Sequence, residues 1–246
     1  MNSEKWVRTR LRRAIQDFNL IEPGDRIAIG VSGGKDSMAL LYLLANLKYY
    51  RGFHFSLVPI HLVLGWESLG LTNPNLEVLK TSCSSLSLPL HVETTQIAEI
   101  VFQARQETHP CSLCAKMRRG ALHNAAVNLG CNKVALGHHA DDVIETLFLN
   151  LFYTGQLATF SPRTYLSKKN LVLIRPLVYL PEKALTDLAR THSLPTLHNP
   201  CPASGRTKRQ EVKHIVHLLE AYYPDIRDKV LTALGNRSLD GIWIRN

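Results

Sequence analysis

Nowhere in the 246 residues do eighteen apolar side chains follow one another, so no segment reads as a membrane-spanning helix. The opening MNSEKWVRTRLRRAIQDF has no apolar core behind its charges, which excludes a secretory signal. Glu4 and Asp17 count against a mitochondrial presequence, and the expectation is a cytoplasmic chain with no membrane contact. Internal repeats and low-complexity tracts are absent, which excludes a solenoid or a disordered tether. Cysteine is scarce, five residues and an odd number, so a disulfide framework is not expected in a reducing compartment. Acidic residues are also short, 20 against 29 lysines and arginines, a formal charge of +9. That imbalance points to a polyanionic partner, because cations that neutralise phosphates release counterions. The cations gather in three places: Lys5, Arg8, Arg10, Arg12 and Arg13; Lys116, Arg118 and Arg119; and Arg206, Lys208 and Arg209.

What is present is an ordinary globular composition, 45% hydrophobic and 20% charged. An amphipathic helix opens the chain, with Trp6, Leu11, Ile15 and Phe18 on its apolar side, and EPGD (22–25) breaks it. RIAIGV (26–31) is a continuous apolar run, the pattern of a strand covered on both faces. FSLVPIHLV from Phe55, LHVETT from Leu90, KVALG from Lys133 and LVLIRPL from Leu171 follow. Helical stretches over 37–47, 75–86, 114–128 and 141–152 lie between them. This alternation predicts an α/β fold, a doubly wound parallel sheet with a small helical C-terminal part. The expected division is a basic helix over 1–25, a nucleotide-binding domain over 26–180 and a helical segment over 181–246. Ligands of such sheets lie at the carboxyl ends of the strands.

The first strand runs into GVSGGKDSMALLYLL. Gly33 and Gly34 allow a tight strand-to-helix turn whose N–H groups face an anion. A helix starting near Asp36 or Ser37 aims its dipole at the same spot, Lys35 adds a charge, and Ser32 and Ser37 add hydroxyls. The loop is a phosphate cradle but not a Walker loop, since Ile29 stands where that motif needs glycine and Asp36 follows Lys35. After the fourth strand comes GHHADDVIET, beginning at Gly137, with His138 and His139 ahead of Asp141 and Asp142. Adjacent carboxylates at a helix start either cap it or help to hold magnesium near phosphates and move a proton.

HPCSLCAKMRRG, from His109, spaces Cys111 and Cys114 by one helical turn. By spacing alone the pair fits half a zinc site, a redox dithiol, an iron–sulfur site or two packed thiols. Cys83 and Cys131 stand among apolar or small residues and read as buried hydrophobes. A third candidate ligand is Cys201, in LHNPCPASGRTKRQ.

Ser32 to Ser37 resembles the S-G-G-x-D-S loop of the PP-loop ATP pyrophosphatases, with their adenine nucleotide alpha hydrolase-like fold. The resemblance implies cleavage of ATP between the α and β phosphates, with AMP activating a substrate oxygen. Ser32, Gly33, Gly34, Lys35, Asp36, Ser37, Gly137 and His138 would then bind the nucleotide. Lys35, Asp141 and Asp142 would be catalytic, with Mg2+. The GHHxDD segment is similar to that of tRNA-modifying members, the lysidine synthetases and the tRNA 2-thiocytidine synthetases. The C-x-x-C pair followed by Arg118 and Arg119, with a further cysteine toward the C-terminus, resembles the thiocytidine group. That resemblance implies a 4Fe-4S cluster on Cys111, Cys114 and Cys201, with one iron lacking a protein ligand. It also implies tRNA as substrate, held by Arg118, Arg119, Arg206, Lys208 and Arg209. A sulfur donor such as a cysteine desulfurase and a homodimer are implied as well. Zinc would need a fourth ligand such as His109 or His198. Pro202 follows Cys201, and the second strand lacks the group's acidic continuation, so which base is thiolated stays open. Lysidine synthesis and a non-enzymatic ATP- and cluster-binding RNA sensor remain as alternatives.

Overall fold

In a computed structural model, residues 4–47, 54–105, 110–203 and 208–236 are described. Six strands form one sheet: β1 (Arg26–Gly30), β2 (Ser56–Val63), β3 (His91–Thr94), β4 (Lys133–Ala135), β5 (Arg163–Leu166) and β6 (Leu171–Ile174). Their order is β3-β2-β1-β4-β6-β5, parallel except that β5 pairs antiparallel with β6 at the edge. The register places Ile27 opposite Leu57 and Lys133, so the apolar centres of three strands align.

The alternation of side chains along each strand divides two cores. Ile27, Ile29, Ala135 and Ile174 point to one face. They pack there with α1 (Glu4–Asp17), α2 (Lys35–Leu47), α3 (Leu76–Ser85) and α7 (Glu182–Thr191). Ala28, Ile60, Val134, Leu171 and Leu173 point to the other, against Leu122, Ala125 and Ala126 of α5 (Pro110–Asn128). The expected doubly wound sheet is the observed one. Cys83 and Cys131 lie one in each core, and burial pushes the Cys83 thiol up to about 11. Lys133 is fully buried at the start of β4 and held by Asp25 at 2.8 Å, Glu22 at 2.8 Å and the Leu20 carbonyl at 3.1 Å. This charge is tolerated because each donor finds an oxygen.

The structure differs from the sequence expectation in two places. The apolar runs predict five strands; β5 is the sixth, a half-exposed edge strand in SPRTYLS that lacks the continuous apolar run of its neighbours. The division into units also falls elsewhere. One unit comprises Met1–His139 and Ser161–Arg206; the other comprises Ala140–Phe160 and Thr207–Asn246. The opening helix is no appendage, because Val7, Leu11 and Ile15 are buried in the core of the sheet unit. The segment through Cys201 stays with the sheet because Leu185 and Leu188 pack there. The second unit is helical: α6 (Ala140–Thr154), α8 (Lys208–Tyr222) and α9 (Ile226–Gly235), around Ile144, Val212 and Val216. A short helix, α4 (Ile97–Glu99), precedes α5. Among the described residues no helix is long and apolar enough to cross a membrane.

Candidate active site

The glycine loop leaves β1 at the carboxyl end of the sheet and enters α2 at Lys35, slightly earlier than the sequence suggests. Gly33 takes φ +81°, a conformation costly for any side chain. A closed ring of hydrogen bonds shapes the turn. Ser37 Oγ donates to the Gly34 carbonyl (2.8 Å) and accepts from Ser32 Oγ (3.1 Å) and Ser32 N–H (3.2 Å). Ser32 Oγ in turn accepts from Gly34 N–H at 3.3 Å. Both hydroxyl protons are thus used inside the loop, so these serines hold its shape, and the anion donors are the first N–H groups of α2. Lys35 Nζ bridges Asp36 (2.9 Å) and Glu182 at the start of α7 (2.9 Å). Burial alone lowers the Lys35 pKa, but its bonds to Glu182 and Asp36 outweigh that and raise it. His139 Nε2 lies 3.8 Å from Asp36. Gly137 meets the start of α2 so closely that a Cβ there would sit 3.1 Å from the Asp36 carbonyl. His138 is half-buried two residues before Ala140.

The loop is also tied to the cysteines. Leu197 N–H donates to the Gly33 carbonyl at 2.8 Å, and the Leu197 side chain fills the space above Gly33. Four residues on, Cys201 N–H donates to Asn199 Oδ1 at 3.2 Å. Cys111 is exposed on the first turn of α5, and Cys114 and Cys201 are half-buried. Burial raises the Cys114 thiol pKa, the nearby Arg118 guanidinium lowers it, and the thiols of Cys201 and Cys111 raise it further. Cys111 and Cys201 therefore each lie within electrostatic reach of Cys114. Among the described residues no three His, Cys, Asp or Glu side chains are set to hold a single ion. His109 lies outside the described residues and His198 is exposed.

In the helical unit, Asp141 and Asp142 open α6, and each meets an arginine. Asp141 pairs with Arg227 of α9, which also bonds Glu220 at 3.0 Å. Asp142 pairs with Arg209 of α8 at 2.8 Å, and Arg209 reaches Glu145 at 3.3 Å and Thr146 at 3.2 Å. Lys208 pairs with Glu211 at 3.0 Å beside the Tyr153 ring. Arg206 lies outside the described residues. Two of the cations expected to hold RNA are thus neutralised within the protein. Arg118 lies near enough to Cys114 to lower its thiol pKa, and Arg119 stands exposed on α5. Sequence reasoning missed Glu182, Arg227 and Leu197, none of which sits in a motif; only the fold brings them to these positions.

A family model described as a PP-loop domain matches residues 4–219. The chain belongs to the PP-loop family. Among curated relatives, the tRNA-cytidine(32) 2-sulfurtransferase of Pelobacter propionicus is 40% identical over 233 residues, covering 94% of this chain and 85% of its own. The protein of the same name from Geobacter sulfurreducens is 37% identical over 235 residues, covering 94% and 90%. Among solved structures, the U34-tRNA thiolase NcsA from Methanococcus maripaludis, with its [4Fe-4S] cluster, aligns with a TM-score of 0.75 at 25% identity. That alignment covers 99% of this chain and 82% of NcsA.

Proposed function

We propose that this PP-loop protein is a cytoplasmic, ATP-dependent tRNA sulfurtransferase that converts a cytidine to 2-thiocytidine. The observation that carries the reading is the Leu197-to-Gly33 hydrogen bond, which ties the Cys201 segment to the PP-loop and so joins thiols to a phosphate cradle. The N–H groups at the start of α2 and Lys35 hold the phosphates of ATP. Lys35 moves from Glu182 to the more highly charged anion. Attack by the C2 oxygen of cytidine on the α phosphorus releases pyrophosphate. The C2–O bond then breaks, AMP leaves with that oxygen, and sulfur takes its place.

The donor set suits a 4Fe-4S cluster: three thiols, with Cys111 at the surface and both Cys111 and Cys201 within electrostatic reach of Cys114. Cys111, Cys114 and Cys201 would hold the cluster, which would supply an iron without a protein ligand as the seat of the transferable sulfur. Arg118 stabilises the Cys114 thiolate that such a ligand requires. Asp141 and Asp142 would be the carboxylates for Mg2+, which would supply charge neutralisation beside the phosphates; each now pairs with an arginine. A persulfide donor of the cysteine desulfurase class and a homodimer belong to the same reading.

The test is nucleoside mass spectrometry of tRNA from a strain lacking the gene. 2-Thiocytidine should vanish and return with the wild-type gene, but not with Lys35→Ala or Cys201→Ala. Protein purified without oxygen should carry iron and acid-labile sulfide in equal amounts. Persistence of 2-thiocytidine, or stoichiometric zinc in place of iron, would overturn the reading.

A further inference from the structure

Gly120 lies inside α5 and is exposed, and a Cβ built on it would meet nothing within 4 Å. A glycine within a helix costs stability relative to alanine, and here neither packing nor a positive φ calls for one. The remaining reason for its use is a ligand that comes close to the helix backbone. The side chains around it are cationic. Lys116 and His123 lie four and three residues from Gly120 on the same helix side, and Arg119, its neighbour in the chain, lies three and four residues from those two. The pKa of His123 is lowered by burial, then by Arg119 and Lys169, which brings the turn between β5 and β6 to the same place. Lys168 and Lys169 are exposed in that turn, Ser167–Lys169. Arg175 at the end of β6 is pushed down to about 10, by burial first and then by Arg119. Among the described residues none of Lys116, Arg119, Lys168 and Lys169 pairs with a carboxylate.

We propose that the α5 face of Lys116, Arg119, Gly120 and His123, with Lys168 and Lys169, is the seat of a tRNA stem, whose sugar-phosphate backbone rests on Gly120. The proposal rests on the function above and locates its substrate. Unpaired cations without acidic neighbours suit a phosphate backbone, and duplex RNA is recognised by shape and phosphates rather than by base edges. The face starts at Lys116, about half a turn beyond Cys114, and extends about 10 Å along the helix to His123. A stem held there leaves its single-stranded loop to reach the thiols at the helix start, and the target base must be in a loop to be splayed out.

The experiment measures binding of an unmodified tRNA transcript to the anaerobically purified full-length protein across a salt series. Gly120→Ala should raise the thermal midpoint yet weaken tRNA binding, and Gly120→Gln should weaken binding about tenfold or more. A merely structural glycine would not separate the two readouts in this way. Arg119→Gln combined with Lys168→Gln and Lys169→Gln should lower the slope of log K against log salt by about 2 to 3, roughly one for each phosphate no longer neutralised. Wild-type slope and affinity in these variants would overturn the seat while leaving the tRNA reading intact. If the wild-type protein shows no salt-dependent tRNA binding at all, the functional reading itself fails.

Discussion

Arg209 and Arg227 of the helical unit each face carboxylates inside the protein, whereas Arg119 and Lys169 of the sheet unit both act on His123 and, with Lys168, are exposed to solvent. The first two hold α8 and α9 to the acidic start of α6. The second group lies near His123 and Arg175, whose pKa values burial lowers first, with Arg119 lowering both further and Lys169 lowering that of His123. A protein gains nothing in folding from unpaired like charges held close together. Their presence beside an unsupported helix glycine is what a binding surface costs the free protein. Positive charge therefore has two uses in this chain, and the carboxylates nearby tell them apart.

The comparison breaks first at Arg227. Arg227→Gln removes one partner of Asp141, a carboxylate that is nearly buried, and breaks the Arg227–Glu220 pair as well, and should destabilise the helical unit by about 3 kcal/mol in urea denaturation. A loss below about 1 kcal/mol would mean that solvent supports Asp141 and the pairing is incidental. Arg119→Gln is the counterpart. It should leave stability within about 0.5 kcal/mol of wild type, or raise it, while tRNA affinity falls. Lys208→Gln at the exposed Glu211 pair should leave both denaturation and tRNA affinity near wild type. A large loss of tRNA affinity in Lys208→Gln would erase the distinction between the two groups of cations.

These differences were only partly legible in the sequence. The PP-loop was, because one contiguous hexapeptide carries it, and so were the parallel strands, whose apolar runs reflect burial on both faces. The Cys111–Cys114 pair was visible because helical spacing is local. The approach of Cys201 was not visible from spacing, since it depends on Leu197 lying over Gly33, a contact across 164 positions of chain. The fate of Arg209 was hidden for the same reason: its carboxylates lie 67 and 64 residues away. Lys168 and Lys169 belong to none of the cation groups the sequence sets apart, and β5 before them is a half-exposed edge strand with no apolar run to mark it. Local chemistry can be read directly, but charge neutralisation is a tertiary property.

The smallest expected effect sharpens the comparison most. His123 has its pKa lowered from 6.5 by burial and by Arg119 and Lys169. In the free protein the folded state then binds fewer protons than the unfolded state as pH falls below 6.5. Stability from this site is complete above that value and declines as pH drops through and below it. RNA phosphates against Arg119 and Lys169 would offset the repulsion and bring the His123 pKa back up. Binding must then take up a fraction of a proton between the free and bound values, so tRNA affinity should rise a few-fold from pH 8 to pH 6, by less than the tenfold per pH unit that one full proton gives. His61 is buried too and has a pKa lowered by burial and by Arg118, against the rise from its Val31 carbonyl bond, so the wild-type profile alone does not identify the group. His123→Gln supplies the difference: its affinity should lose the pH-dependent part and keep the salt slope. If the variant retains the full pH dependence, the phosphates do not approach Arg119 and Lys169, and the stem lies elsewhere.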